Sequence, residues 1–573
     1  MGRAAFVGRA VGLRGTAALA ALLAVLLVSL PPAQAQQVPP AAEPGTVQKR
    51  LEPPPQPKAA PPIDIPDTGR AIPPPGAEEI RFVLTDLLVD GNTVYTEEEL
   101  MPLWEGLLGQ EITLNQFYGV AAAITVKYRN DGYILTRAVV LPQEIIEGVA
   151  EIEVIEGYID NVVIEGDPSG PAAQIEDKIA AIVDSRPLRA DVLERYLLLL
   201  NDLPSVIVQS VLRPSPMTPG ASELIIILEE AKFTAAVSLD NRGSRFLGPY
   251  QYGASMRIDN AFEMYESTEL NVIGATELNE LLFLSLTHTL PLTTEGTTLT
   301  VIASHTSTEP GSILEALNVE GDSDAVSVAV THPVIRSRSE NLSVAGGFDF
   351  RNATTKILGV TDSRDRLRSV FVGGTYDFID RFRGISLVGV ELRQGLDILG
   401  VTDTGSANLS RVGGHSDYTK ITAAARRKQT LGPGVSLSVA LKGQYAFDAL
   451  LATEECGLGG EEFGSAYEAF ELSGDHCLAG RLELQYGAAA ESEFIESYEI
   501  YGFYDLGAVW RINGGNQKTQ ESLASAGFGA RANLIEDIWG SIELAIPLTR
   551  SPTVSRDDGQ KKPRIFFSLT KRF

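Results

Sequence analysis

The stretch GVSLSVALKGQYAF, Gly434–Phe447, alternates apolar with small or polar side chains. Successive side chains of a β-strand point to opposite faces, so this pattern predicts a strand with one apolar and one polar face. DIWGSIELAIPL, Asp537–Leu548, repeats the alternation. A soluble sandwich and a membrane barrel both produce such strands, and one strand leaves both open. The first stretch places these residues on its apolar face: Val435, Leu437, Val439, Leu441, Tyr445 and Phe447.

The number and spacing of similar segments favour the barrel. The connections after even-numbered segments are short, whereas those after odd-numbered ones reach about 22 residues (396–417) and 32 residues (448–479). An even number of strands of about ten residues, with long loops on one side only, is typical of an outer-membrane barrel. We predict a 16-stranded antiparallel transmembrane β-barrel over residues 233–573. Its segments begin near residues 234, 248, 267, 281, 296, 325, 341, 366, 383, 418, 434, 480, 496, 521, 538 and 563.

The chain ends on RIFFSLTKRF, Arg564–Phe573, which has the same alternation and a terminal aromatic residue. The last strand of a barrel must pair with the first, because an open edge would leave backbone groups unpaired. We therefore expect the outward residues Phe567, Leu569 and Phe573 to act as the barrel assembly signal.

Two small α/β units precede the barrel, at residues 80–157 and 158–232. In the first, Thr96 with Glu99 and Thr113 with Gln116 form capping boxes that start helices. The pattern β-α-α-β-β then recurs, with helices expected at 171–183 and 189–202. Each unit should contain a three-stranded sheet with an edge available to an extended peptide. The helix after Thr113 should bury Phe117, Val120, Ala121, Ile124 and Tyr128.

The N-terminal 79 residues predict export followed by a linker. Three arginines, the fifteen-residue apolar run TAALAALLAVLLVSL and small residues at Ala33 and Ala35 predict a signal peptide over residues 1–35. The run is short for a helix that spans a membrane, which needs about 20 residues. Thirteen of the 32 prolines lie between Val38 and Pro75, so residues 36–79 are expected to form a stiff, exposed linker.

Charge and the histidine and cysteine content limit the function. The 74 acidic against 47 basic residues give a net charge of −27, which repels phosphate backbones and excludes nucleic acid as a partner. EEFGSAYEAFELSGDHC, Glu461–Cys477, suggests a metal or Cys/His site, but the other four histidines lie on other segments. We expect no metal, no cofactor and no catalysis.

Cys456 and Cys477 are the two cysteines and should pair in an oxidising compartment. Two unpaired thiols stay the alternative, because spacing does not fix the Cα–Cα distance.

Five stretches of the chain share the pattern of one known family: GNTVYTEEEL, YRNDGYILTRAVVLPQ, GVAEIEVIEGYIDNVVIEG, LNDLPSVIVQSVLRPSPMTPGASELIIILEE and SLDNRGSRFLGPYQYG. They resemble the outer-membrane transporters of two-partner secretion, the haemolysin secretion/activation or TpsB proteins, in the superfamily of POTRA-plus-barrel proteins. The resemblance implies a barrel in the outer membrane of a Gram-negative bacterium, with two POTRA domains in the periplasm. The POTRA domains would bind the N-terminal secretion domain of a passenger protein, which the barrel then moves unfolded to the cell surface. Other implied partners are outer-membrane lipids, periplasmic chaperones and the barrel assembly machinery, with the transporter itself a monomer.

The resemblance also implies a site. In the family, the sixth outer loop folds into the barrel and carries an Arg-Gly-aromatic tip followed by Ser-Gly-Asp-His. Here the Arg-Gly positions read Ser465 and Ala466. The family's barrel-wall Asp, here Asp505, meets the loop Arg, so in this chain it needs water or another donor such as Arg481. The matching residues are Tyr467, Ser473, Gly474, Asp475 and His476 in the loop, and Phe503, Asp505 and Gly507 in FYDLG.

Two rival functions share parts of this pattern. An assembly factor that inserts other barrels has the same plan but usually more POTRA units. A barrel enzyme acting on envelope lipid would need a Ser/His/acid or metal set on the barrel wall, and the sequence offers none.

Many family members also have an N-terminal plug helix, for which TVQKRLE is too short to be convincing.

Overall fold

The computed structural model describes residues 38–51, 57–58, 72–166, 168–218, 220–277, 279–512, 518–552 and 561–573. Residues 40–573 form one compact unit. The predicted signal peptide, residues 1–35, lies outside the described residues, as do residues 36–37, 52–56 and 59–71 of the predicted linker. The helices are α1 (Pro44–Leu51), α2 (Glu97–Leu100), α3 (Leu114–Asn130), α4 (Ala173–Val183) and α5 (Ala190–Asn201).

Two small α/β domains follow one another, and each contains a mixed three-stranded sheet. In the first, the sheet order is β2-β5-β4, with β2 parallel and β4 antiparallel to the central strand, and β1 pairs separately with β3. In the second, the order is β6-β8-β7 with the same orientations. The strands are β1 (Arg81–Val83), β2 (Asp86–Asp90), β3 (Glu111–Thr113), β4 (Arg137–Val139), β5 (Val149–Ile155), β6 (Ile159–Glu165), β7 (Val206–Pro214) and β8 (Ser222–Glu230).

Local sequence explains the helices of these domains. Both capping boxes are present, since the side chains of Thr96 and Thr113 accept from the amides of Glu99 and Gln116. The predicted apolar face of α3 is buried, and Tyr128 at its end donates to Glu156 at 2.8 Å. The cores of the two domains are separate hydrophobic clusters.

The remainder of the chain forms a closed barrel of 16 strands, in which each strand pairs antiparallel with its neighbours in sequence order. Strand β26 closes the barrel by pairing with β9. The predicted fold class is therefore confirmed. The barrel strands are β9 (Phe233–Asp240), β10 (Gln251–Asp259), β11 (Ser267–Ala275), β12 (Leu282–Pro291), β13 (Thr298–Thr308), β14 (Val319–Arg336), β15 (Glu340–Ile357), β16 (Val360–Ile379), β17 (Gly384–Gly395), β18 (Thr419–Gly432), β19 (Val435–Ala446), β22 (His476–Ala489), β23 (Ile495–Trp510), β24 (Gln520–Leu534), β25 (Ile538–Pro547) and β26 (Arg564–Arg572).

Two short strands and one helix lie inside the barrel. The strands β20 (Cys456–Leu458) and β21 (Leu472–Gly474) form an antiparallel hairpin within the connection between β19 and β22. The helix α1 corrects the sequence interpretation, because residues 44–51 were expected to be exposed linker. An isolated helix of eight residues is marginal in water, but burial against the barrel wall stabilises this one.

The second α/β domain is joined to the barrel by ion pairs at the end that carries the short turns. The guanidinium of Arg336, which is 3% exposed, donates to both carboxylate oxygens of Asp202 at 2.9 and 2.8 Å. Arg195 and Tyr196 on α5 donate to Glu295 at 3.2 and 2.8 Å. A charge-assisted, two-point contact of this kind fixes the angle of the domain as well as its position.

Candidate functional site

The connection between β19 and β22, residues 447–475 and called loop 6 below, folds into the barrel lumen. Its hairpin and tip pack on the inner wall of β22 to β26, in a cluster that includes Leu458, Phe463 and Tyr467 from the loop. The Tyr467 hydroxyl donates to the carbonyl of Ala524 at 3.0 Å. Loop 6 therefore lies in the lumen against this part of the wall, where the resemblance places the sixth outer loop.

A disulfide joins Cys456 on β20 to Cys477 on β22, with the two Cα atoms 6.1 Å apart. Both half-cystines are buried, and Cys477 faces the lumen next to Ala479. The bond ties the base of the loop hairpin to the barrel wall, so the predicted pairing is present.

The carboxylate of Asp505 on β23 is fully buried and contacts the loop tip. It accepts from the backbone amides of Gly464 and Ser465 at 3.2 and 3.0 Å, and from the Ser525 hydroxyl at 3.0 Å. Arg481 on the adjacent strand adds a contact of 3.2 Å. The resemblance places a loop arginine beside this carboxylate. In this chain its donors are instead two loop amides and Arg481 of the barrel wall, which lies opposite Asp505 in the strand register.

Arg481 is the centre of a charged network on this wall. Its guanidinium donates to the hydroxyl of Ser465 at 2.8 Å and to Glu483 and Glu543 at 3.0 and 3.3 Å. Its plane lies over the Phe503 ring, with the guanidinium carbon 4.1 Å from the ring centroid. Gly507, the last residue of FYDLG, lies against Leu458 of the loop, where a Cβ would approach a Leu458 methyl to 2.7 Å. FYDLG is therefore the surface on which the loop tip rests.

Asp475, at the other end of loop 6, is fully buried and accepts four hydrogen bonds. Two come from the guanidinium of Arg411 at 2.5 and 2.8 Å, and two from the amides of Leu450 and Ile512 at 2.7 Å each. Arg411 also pairs with Glu455 at 2.9 Å. Burial alone would lower the pKa of Arg411, but the two carboxylates outweigh it and hold that pKa above its usual value. Arg411 therefore ties the preceding outer loop to loop 6.

Ser473 and Gly474 lie on β21, and the Ser473 hydroxyl donates to Glu455 at 2.6 Å. His476 was predicted to lie in the loop tip inside the lumen, and the structure places it elsewhere. It is the first residue of β22 and pairs with Trp510, and strand alternation turns it outward from the neighbouring Cys477. Its ring stacks on that of Tyr445, with centroids 4.6 Å apart.

The helix α1 fills a second part of the lumen, between loop 6 and strands β13 to β15. The Gln48 amide donates to Ser304 at 2.7 Å and its oxygen accepts from Ser323 at 2.7 Å. Lys49 pairs with Glu454 of loop 6 at 3.2 Å. Gly45 packs so closely that a Cβ there would lie 2.6 Å from the hydroxyl of Thr453.

Glu454 connects α1, loop 6 and the wall. Besides Lys49 it pairs with Lys420 of β18, which is 1% exposed. Burial would raise the pKa of Glu454, but these cations hold it well below its usual value, so the carboxylate is charged. One carboxylate thus holds the two pieces that fill the lumen.

The C-terminal strand closes the barrel with few contacts. The β26–β9 register covers five residue pairs, against eight for β9–β10. Phe573 extends the seam by exchanging backbone hydrogen bonds with Ala235 at 2.8 and 3.3 Å. The side chains of Leu569 and Phe573 are exposed outward, and the Phe567 ring lies 6.4 Å from that of Tyr250.

Within the described part of the chain, no group of three or more His, Cys, Asp or Glu side chains is placed to hold a metal ion. None of the described helices has the length and hydropathy needed to cross a membrane.

Arg411 and Glu454 were not among the site residues predicted from the sequence. Arg411 is the sole Lys or Arg in the connection 396–418, which is a usable signal. Glu454 carries no such signal, because its role depends on where α1 and Lys420 meet in three dimensions.

Two family models match the chain. The family described as "Haemolysin secretion/activation protein ShlB/FhaC/HecB" matches residues 220–532. The "POTRA domain, ShlB-type" matches residues 82–157, the first α/β domain.

Individual relatives agree over most of the length. The Heme/hemopexin transporter protein HuxB of Haemophilus influenzae (strain 86-028NP) is 22% identical over 505 residues, covering 87% of this chain and 88% of the relative. The Outer membrane transporter CdiB of Dickeya dadantii (strain 3937) is 23% identical over 480 residues, covering 81% and 82%. The solved structure of CdiB from Escherichia coli superposes with a TM-score of 0.69 at 19% identity, covering 87% of this chain and 92% of that one.

Proposed function

The chain belongs to the family of haemolysin secretion/activation proteins, and from that premise we propose that it binds one secreted passenger in the periplasm and moves it unfolded through its barrel. It is an outer-membrane protein whose POTRA domains lie in the periplasm. The passage of a secreted partner through this particular lumen is the proposal.

The observation that carries the proposal is how the lumen is filled. Loop 6 and α1 are held by hydrogen bonds, ion pairs and packing, while the wall around them is a complete barrel of paired strands. Barrels of 16 strands leave an aqueous channel when nothing fills them. Moving α1 and the loop tip would open a polar passage without breaking the wall.

The POTRA domains supply a place to hold an extended chain. The strands at the sheet edges are β2 and β4 in the first domain and β6 and β7 in the second. On β7, Ile207 and Val211 are 45% and 41% exposed at alternate positions. Addition of a passenger strand to such an edge gives main-chain hydrogen bonds, with apolar contacts for selectivity, and it is reversible.

The other proposed partners follow from the location. Outer-membrane lipids surround the outward apolar residues of the barrel, and periplasmic chaperones and the barrel assembly machinery act while the barrel folds. We propose that the transporter works as a monomer and without chemistry at a catalytic site. The Lys442–Glu462 and Arg426–Glu462 pairs inside the barrel suit a solvated passage.

The proposal is tested by expressing the transporter in a heterologous Gram-negative host together with the large secreted protein encoded beside it. Passenger at the cell surface, detected by protease added to intact cells, supports it. The passenger without its N-terminal domain is the control. Passenger that stays in the periplasm, while other outer-membrane barrels become depleted on removal of the transporter from its own host, would instead support the assembly-factor alternative.

A further inference from the structure

Two arginines lie on the outward face of the barrel, in the same rows of the sheet as the exposed Asp322 and Asp324 two strands away. Arg364 and Arg366 are exposed residues of β16. In the register they lie opposite Thr354 and Asn352, whereas Asp365 between them faces inward and accepts from Ser410. Strand alternation therefore turns both guanidinium groups away from the lumen.

The height of the pair on the barrel follows from the same strand. At its periplasmic end, the stacked rings of Tyr376 and Phe378 have centroids 4.9 Å apart, as in an interfacial girdle. The outward residues above them include Val372 and Val370, which are 57% and 39% exposed. An outward apolar band is about 25 Å tall, which is roughly ten residues of a strand tilted by about 40°. The band therefore ends near Arg368, and the pair lies at the level of the outer headgroups.

The loop 396–418 turns this part of the strand into a pocket. The amide of Arg364 donates to the carbonyl of Asn408 at 2.8 Å, and Thr402 bonds the backbone of Arg366. The loop and strand border an open cavity of about 330 Å³, lined by Arg364, Arg366, Thr402, Ser406, Asn408 and one acidic residue, Asp403. The exposed Ile398 and Leu399 of this loop, 44% and 68% exposed, place apolar side chains close by in sequence.

Neither guanidinium has an ion-pair or hydrogen-bond partner among the residues that the structure describes. Lumenal arginines of the same barrel are paired, for example Arg481 with Asp505 and Arg531 with Glu483. In a chain of net charge −27, two arginines without a protein partner in one outward pocket form a local cationic site, which attracts an external anion. Arg is suited to phosphate, because its planar fork donates two parallel hydrogen bonds.

We propose that this pocket binds a phosphate group on the headgroup of the glycolipid that forms the outer leaflet. The acyl chains of that lipid would lie along the apolar band below, while Thr402, Ser406 and Asn408 supply donors for the sugar. The site holds a lipid against the wall beside loop 6, since Leu367, next to Arg366, faces inward and packs with Leu450 and Leu451. The inference rests on the outer-membrane location and not on the transport proposal, so either can fail alone.

The test uses the full-length protein in detergent with three probes: diphosphoryl lipid A, lipid A from which the phosphates have been removed, and inorganic phosphate. The variant is R364Q/R366Q. R381Q/R383Q is the matched control, because it removes two exposed arginines from the periplasmic turn of the same hairpin. Heat-modifiable migration on a gel shows that each barrel has folded.

We expect native mass spectrometry to show diphosphoryl lipid A bound to the wild type and the control. Binding by R364Q/R366Q should be about tenfold weaker, the loss of roughly one charge-assisted contact. Lipid A without phosphate should bind the wild type as weakly as it binds the variant. Equal binding of diphosphoryl lipid A by R364Q/R366Q and wild type overturns the site. Displacement of lipid A by millimolar inorganic phosphate also overturns it, because the pocket would then be a soluble-anion site.

Discussion

Asp505 is a buried carboxylate whose donors come from both the loop tip and the barrel wall. Sequence alternation was enough to place it inward and to name Arg481 as a candidate donor, since both lie on lumenal positions of neighbouring strands. The two amide donors of Gly464 and Ser465 could not be predicted. Backbone groups become donors to a distant side chain only when the path of the loop is known.

We predict that Arg481→Ala releases the tip of loop 6. The substitution removes one cation from a buried carboxylate and one donor from Ser465, at a cost of about 3 kcal/mol for a broken buried pair. The loop contains six glutamates and no Lys or Arg, so V8 protease added to intact cells reports its exposure. Cleavage within residues 447–475 should increase in the variant.

The matched control for this prediction is Arg531→Ala. Arg531 lies on the same wall and pairs with Glu483 and Glu499, and among the described residues none of its ion pairs reaches loop 6. It should leave V8 cleavage at the wild-type level. Equal cleavage of the two variants would show that the Arg481 contact does not hold the tip.

The disulfide gives a second prediction at this scale. In the double variant Cys456→Ser/Cys477→Ser, loop 6 loses the covalent tie at its base, which for a separation of 21 residues corresponds to about 3 kcal/mol in the chain-entropy account. We expect greater V8 cleavage and reduced secretion. Non-reducing mass spectrometry of the wild type is the control, and secretion at the wild-type level in the double variant would contradict a role for the tie in holding the loop.

Among the elements, α1 shows where sequence interpretation fails. Its eight residues carry no pattern that would make a stable isolated helix, and the surrounding prolines predict an extended segment. The barrel supplies the stabilisation, through Ser304, Ser323 and Glu454. The barrel strands were predictable for the opposite reason, because their alternation is a local property that the sheet preserves. Pairing of β1 with β3 was missed, since three-residue strands have too few positions to show alternation.

We predict that docking of α1 weakens as the pH rises. Burial, with the nearby Asp365 and Asp362, raises the pKa of Glu43 from 4.5 to about 8, although a hydrogen bond from Thr355 opposes the shift. Released from the lumen, Glu43 returns to its ordinary pKa. The docked state therefore holds a proton that the released state lacks between these values. This contribution to docking is complete below pH 4.5, decreases as the pH rises and is lost above pH 8.

Conductance in planar bilayers measures the effect. Pore opening should become more frequent between pH 5 and pH 8, and Glu43→Gln, which keeps the acceptor for Thr355 but cannot ionise, should remove this pH dependence. The same rise in Glu43→Gln as in the wild type would assign the effect to other groups.

The last strand carries a further prediction. Deleting Phe573 removes the two backbone hydrogen bonds to Ala235 from a seam of five register pairs, and it exposes the edge of β9. We expect most of the protein to lack the heat-modifiable, folded form on a gel. Phe494→Asp, which replaces an exposed aromatic residue in a turn, is the control and should assemble. A normally assembled barrel without Phe573 would contradict the role of the terminal residue.

At the scale of the whole molecule, the POTRA domains and the filled barrel lie one after the other along the route that we propose for the passenger. The second POTRA domain is fixed to the barrel by Asp202 and Arg336, so a passenger held on its sheet edge lies on a domain of defined orientation. The lumen beyond is filled by α1 and loop 6, which share Glu454. Sequence alone predicted the two kinds of domain and their order. The fixed angle between them depends on a salt bridge across more than a hundred residues, which no local pattern reveals.

The central claim is that the passenger crosses the membrane inside this barrel. The most direct measurement places one cysteine on the wall and traps a passenger that is stalled by a folded C-terminal fusion. Lys442 faces the lumen and pairs with Glu462 of loop 6, whereas Leu441, the preceding residue, faces outward and is 51% exposed. The native cysteines are disulfide-bonded and do not react. We predict that a thiol-specific crosslinker joins the stalled passenger to Lys442→Cys and not to Leu441→Cys. No crosslink at Lys442→Cys, or equal crosslinking at both positions, would contradict passage through the lumen.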